Sequence, residues 1–217
     1  MSPWRAKHSG PAMAEPLWLE WLALGGLLVF GTWLLGVRGV WALLLHADPT
    51  GLTLIIVAVF ACSTVWCGSR AKTLQAQRQA LEASLRPGSS GQGWAHEYWQ
   101  ASRAPGGDAA TALEVLLEHS HGPHGTAWWV NGIQLKLGLL GKVIGFSVLA
   151  LQIGQIQNFD PTQSQELLRS LTTGLGVALL TTMVGLVGNI LLGLQLTRLD
   201  RYADALVAEA QRRGLDP

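Results

Sequence analysis

From Ser170 to Leu196 the chain reads SLTTGLGVALLTTMVGLVGNILLGLQL, free of formal charge throughout and longer than the roughly 20 apolar residues a helix needs to cross a bilayer. No other stretch constrains the fold as strongly. On a helical wheel, Gly174, Ala178, Thr181, Thr182, Gly185, Gly188 and Asn189 gather on one side, and Leu179, Leu180, Met183, Val187, Ile190, Leu191 and Leu194 on the other. Small residues let backbones approach closely in lipid, and hydroxyl or amide groups belong against protein or a watery cavity. The Gly/Thr/Asn side therefore faces a bundle interior, and the leucine side faces lipid or bulky partners. Leu137 to Ile156 is the companion stretch, with Gly138, Gly141, Gly145 and Gln152 forming a similar small, polar face.

Composition agrees. Charged residues are 13% of the chain against roughly 25% in a soluble domain, and mean hydropathy is +0.28. The class is an all-α integral membrane protein. A net charge of +1, with cations sorted by position and not pooled into a patch, gives no argument for nucleic acid. Cys62 and Cys67 are the only cysteines; five residues apart on an apolar helix they lie on opposite faces, out of disulfide reach, and both read as buried thiols.

In chain order, residues 1–16 form a polar leader. The first span runs from Leu17 to Val37; it is long for the apolar part of a signal peptide and lacks a small-x-small cleavage site, so it reads as an uncleaved anchor. Trp18, Trp21, Trp33 and Trp41 fit interfacial belts, and Glu20 sits near a helix end where it snorkels or serves as a buried acid. Arg38 to Pro49 is too short for a span. Gly51 to Gly68 is the second span, so residues 17–68 hold two membrane helices and a short external linker. Residues 69–136 form the one large polar segment. It opens with AKTLQAQRQALEASL, with a weak stripe of Leu74, Leu81 and Leu85, and breaks at Pro87 through Gly93. Asp108 is the N-cap of a further short helix that ends before a Gly/Pro loop at His119–Gly125. Residues 137–197 hold helices 3 and 4, the fourth starting at Pro161 behind Asp160, and residues 198–217 continue as a helical tail.

The positive-inside rule orients the four spans. Arg5 and Lys7, the cations from Arg70 to Arg103 with Lys136, and the C-terminal arginines fall on one side, with Arg38 and Arg169 opposite. Both termini and the large segment are thereby cytoplasmic, and the last two helices are long and extend into the cytoplasm.

Two segments carry a resemblance. LGLLGKVIG at Leu137–Gly145 resembles the GLxGTVxG signature of the penultimate helix of the MotA/TolQ/ExbB proton-channel family, and ALLTTMVGL at Ala178–Leu186 is similar to its final-helix motif, ALxxTxxGL. The resemblance covers the last third of the chain. It implies a ring, a homopentamer, in the bacterial inner membrane, whose last two helices line a central pore. It implies a dimer of a single-span ExbD/TolR/MotB-like partner in that pore, bearing an ionisable aspartate. Together these make a 5:2-type motor coupling ion flow to mechanical work. No cofactor and no covalent chemistry are implied.

Thr182 falls on the family's pore threonine, and Thr181 is a second hydroxyl beside it. Such hydroxyls orient water or a carboxylate, or bond back to their own helix and only pack. Lys142 stands where the energising members place threonine, and Val177 where some place glutamate. Lys142 either snorkels to the cytoplasm or points into the pore and pairs with the partner's acid, lowering that acid's pKa. Helix packing is assigned to Gly138, Gly141, Gly145, Gly174, Ala178, Gly185, Gly188 and Asn189. His119, His121 and His124 lack a clear fourth ligand and give no metal site. A passive four-span scaffold or channel subunit is the alternative function, and no constellation of catalytic spacing supports an enzyme.

Overall fold

A computed structural model describes residues 17–48, 50–84, 91–154 and 161–215. Its elements are α1 (Leu17–Val37), α2 (Val40–Ala47), α3 (Leu52–Ser84), α4 (Trp94–Arg103), α5 (Ala109–Gly154) and α6 (Pro161–Leu215), with no strand among the described residues. Four of them, α1, α3, α5 and α6, are long and apolar enough to cross a membrane. The first span's limits, read from hydropathy, and the fourth helix's start, read from Pro161 behind Asp160, coincide with those of α1 and α6. Asp160, Gln152's side chain and Leu85 lie outside what is described.

α1 ends where Gly39 takes φ 71°, a left-handed conformation open to glycine at no steric cost, and its N–H bonds Gly36 O at 2.9 Å. α2 then leads to Asp48, whose carboxylate is the organising group of the turn. It accepts from Thr50 N (3.0 Å), from the Thr50 hydroxyl, and from Thr53 N (2.6 Å) in the first turn of α3, satisfying donors that a helix N-terminus leaves open. α1 returns along α3: Trp21 Nε1 donates to Thr64 O at 3.1 Å, its ring lies over Gly68 where any Cβ would collide, and Lys72 Nζ sits 3.9 Å from the Trp18 ring centre.

Three features depart from the sequence reading, two of them in the polar segment. α4 is a helix within a stretch with no helix assigned; Trp99 Nε1 ties it to Ala210 O at 2.9 Å. Cys62 is exposed in the single chain, and only Cys67 is buried. Most consequentially, His119–Gly125 is not a loop. Asp108 does cap the helix, accepting from Ala110 N at 3.0 Å and Thr111 N at 3.3 Å, but α5 then runs unbroken through Pro123 to Gly154. A proline inside a helix deprives the carbonyl four residues back of its donor. Here that carbonyl belongs to His119, and Arg70 Nη2 of α3 donates to it at 2.5 Å and to Ser120 O at 3.0 Å. The break expected from Gly and Pro is averted by a tertiary donor.

α5 and α6 form the frame. At 1.5 Å per residue their 46 and 55 residues reach about 70 and 80 Å, more than twice a bilayer's roughly 30 Å apolar core. They run antiparallel in constant register, from Leu149 beside Gly174, through Gly145 on Ala178, Gly141 on Thr181, Gly138 on Gly185 and Gln134 on Gly188, to His124 on Asp200 and His121 on Asp204. The buried face of α6, turned to α5 and then to α3 as well, repeats every three or four residues, as Gly174, Ala178, Thr181, Gly185, Gly188, Leu192, Gln195, Leu199, Tyr202 and Leu206, the 3.5-residue period of a coiled coil. Its first half is small. Its second half is large and builds, with Ala71, Leu74, Leu81, Ala95 and Leu116, the main apolar core.

Candidate functional site

The residues singled out in the last two spans meet in the small half of that seam. Gly138, Gly141, Gly145, Gly185 and Gly188 are buried because backbone of the facing helix, or the side chain of Thr181, Ala178 or Gln134, lies where their side chains would be. A Cβ on Gly185 would stand 2.8 Å from Gln134 O and 3.0 Å from Gly138 Cα, and one on Gly145 3.0 Å from the Ala178 Cβ. On Gly174 a Cβ would meet Leu149 at 3.0 Å. Asn189 closes the row, donating from Nδ2 to Asn131 O at 2.9 Å. All eight packing residues thus engage α5 against α6 within one chain. The bundle interior that the wheel assigned to the small face of the fourth helix is supplied by α5 of the same chain, so these faces do not by themselves demand a second copy.

Thr181 is fully buried, fitted against Gly141, with Oγ1 3.4 Å from Ala178 O. Thr182 is half-buried. Its hydroxyl lies 2.8 Å from Ala178 O one turn back and 3.2 Å from Gly138 O across the seam, so one proton is shared between two carbonyls. Lys142 is on the exposed side of α5, its Nζ 6.0 Å from the Phe146 ring centre. The structure sets both threonines against α5 and leaves Lys142 exposed. Val177's side chain lies outside what is described.

Sequence reasoning missed the polar rungs that continue the seam. Gln134 is fully buried with neither amide atom partnered, and Asn131 keeps an unpartnered Oδ1. Gln195 Nε2 reaches Thr64 Oγ1 of α3 at 3.3 Å. The signal was spacing: Asn131 and Gln134 precede Gly138 by seven and four residues, the same face continued past the apolar segment.

The larger omission is a cluster where α3, α5 and α6 converge. His124, 2% exposed, has Nδ1 2.6 Å from Asp200 Oδ1, and Arg70 Nε donates to its Nε2 at 3.2 Å. Trp128 Nε1 donates to Asp200 Oδ2 at 2.8 Å, and His121 Nε2 meets Asp204 Oδ1 at 3.0 Å. Burial pushes the His124 imidazole below its usual 6.5; Asp200 pulls it back up in part, and the Arg70 and His121 charges push it further down. No two of these residues are close in sequence except within α5 and within α6, so periodicity alone could not assemble them.

The fold thus defines an all-helical chain with four helices able to span a membrane and a long antiparallel hairpin as its frame. Compared with known proteins, it matches no family model, no curated protein and no solved structure.

Proposed function

We propose that this chain is the pore-forming ring subunit of a proton-motive-force-driven, 5:2-type motor of the bacterial inner membrane, both termini cytoplasmic, a homopentamer enclosing a dimer of a single-span, aspartate-bearing partner. The observation that carries the reading is the level pairing of the two segments on which the resemblance rests: Gly138, Gly141 and Gly145 meet Gly185, Thr181 and Ala178 across one seam. Two motifs that resemble one family's adjacent helices would be expected to meet in this way. Further support is the length of α5 and α6 past the apolar level. Because the seam is closed within each copy, the ring is built on the remaining surfaces: Leu139, Leu140, Val143 and Phe146 of α5 and Leu179, Met183, Val187 and Ile190 of α6 are exposed.

One observation favours the passive scaffold instead. The Thr182 hydroxyl already has two intrachain acceptors, and a lysine replaces the family's threonine at 142. The test is pH-gradient dissipation in liposomes holding the subunit and its single-span partner. Thr182→Val should lower flux at unchanged protein level. Lys142→Thr should raise it if the lysine pairs with the partner's acid, because losing a cation restores that acid's affinity for a proton. Identical traces for wild type and both variants would remove Thr182 and Lys142 from any ion path and favour the scaffold.

A further inference from the structure

His124 is the only side chain described that hydrogen-bonds both α3 and α6 from α5, and its bonding leaves one assignment of its proton. An arginine Nε carries its hydrogen at every accessible pH, so Nε2 of His124 is an acceptor from Arg70. The single ring proton of the neutral imidazole therefore sits on Nδ1 and is donated to Asp200. In this form a neutral ring bridges a cation on α3 and an anion on α6.

We propose that His124 is a proton-binding site that acts as a latch: a proton taken up at Nε2 breaks the Arg70 bond and transfers the hold of the imidazole from α3 to α6. The step is one proton from solvent onto the Nε2 lone pair, with no covalent bond broken. Nε2 then presents N–H to Arg70 Nε–H, and two like charges face each other where a hydrogen bond stood, while the bond to Asp200 gains a charged donor opposite its charged acceptor and strengthens.

Arg70 is built to transmit the change. The same guanidinium donates to His119 O and Ser120 O, where it compensates for Pro123, and lies 5.3 Å from the Trp94 ring centre of α4. Displacing it loosens α3, α4 and the proline turn of α5 at once. The charged groups facing the site are Arg70 from α3, His121 from α5, its ring 5.9 Å away, and Asp200 and Asp204 from α6. Trp66 of α3 meets the imidazole edge-on, ring centres 6.3 Å apart. Arg70 is itself partly exposed, which gives the proton its route in. On the topology proposed above this end faces the cytoplasm, so the latch reads cytoplasmic acidity; the proton site itself does not depend on the ring or its partner.

The experiment uses the full chain in nanodiscs with histidine-selective 15N labelling, and amide hydrogen exchange across residues 70–103 corrected for intrinsic rates. At neutral pH His124 should show the Nδ1–H tautomer. It should titrate below 6.5, and exchange across 70–103 should rise with the same midpoint. Arg70→Gln places an amide nitrogen at the position of Nε without charge, so both midpoints should move up together. Asp200→Asn keeps an acceptor for Nδ1–H without charge, so both should move down. An Nε2–H tautomer, or an exchange profile whose midpoint ignores either folded variant, would overturn the latch. If Arg70→Gln fails to fold, Asp200→Asn decides alone.

Discussion

Replacing Gly185 by alanine probes the seam at its closest backbone approach. The added Cβ would lie 2.8 Å from Gln134 O, 3.0 Å from Gly138 Cα and 3.3 Å from Gly138 N. All three are backbone, so no rotamer change relieves the contact, and the helices must separate by about half an ångström to restore ordinary spacing. Overpacking of this kind costs about 1–3 kcal/mol. Separation also stretches the 3.2 Å approach of Thr182 Oγ1 to Gly138 O, an interhelical bond worth about 0.6 kcal/mol on average in membranes. Alanine's helix propensity returns at most about 1 kcal/mol, so a net loss of about 1–2 kcal/mol is expected. Gly176 is the control: a Cβ there meets nothing within 4 Å, and Gly176→Ala should be neutral or slightly stabilising. Equilibrium unfolding of the micellar chain in SDS, followed by tryptophan fluorescence, measures both. Equal stability of Gly185→Ala and wild type, or equal losses at the two positions, would refute the seam.

Other outcomes follow from single groups. Gln134→Met, which removes two unpartnered buried amide atoms at similar volume, should stabilise the isolated chain by about 1–3 kcal/mol in the same assay; a loss would mean that the amide is hydrogen-bonded in the working state. Asp48→Ala should cost about 1 kcal/mol by uncapping α3. Burial pushes the Asp48 carboxyl up, but its bonds from Thr50 and Thr53 outweigh this and hold it below 3.8. Its contribution is therefore complete above 3.8 and fades as pH falls through the lower folded value; the stability gap between wild type and Asp48→Asn should close in acid. His124 has the same sign for a different reason: the unfolded imidazole takes up a proton near 6.5 while the folded one resists it, so folding should weaken as pH drops below 6.5, less so in a His124→Gln chain.

How much of this was legible depended on whether a position's chemistry matched its place. The small-residue half of the seam could be read because Gly174, Ala178, Thr181 and Gly185 are small where bulk is the rule, and α1 because Glu20 is the only charge in its apolar run. The continuation was hidden although its 3–4 spacing persists, since Ser120, His124, Asn131 and Gln134 share no hydropathy with the glycines they precede. Pro123 misled for a specific reason: local rules end a helix there, and the donor that rescues it, Arg70, lies 49 residues from the freed carbonyl. α4 was masked by the Gly/Ser/Pro stretch before it; its evidence, Trp94 and Tyr98 one turn apart with Trp99 beside them, is a short stripe that becomes core only against α3, α5 and α6. For the candidate site, Thr182 and Lys142 were found by likeness to a motif, whereas their orientations, one into the seam and one away from it, needed the register of α5 on α6.

The central claim is a ring built on the outer faces of α5 and α6, and native mass spectrometry of the full chain released from mild detergent tests it most directly. The account predicts five copies per particle, with two single-span chains retained when the partner is co-expressed. A monomer or dimer as the largest species under conditions that keep the chain folded would contradict it.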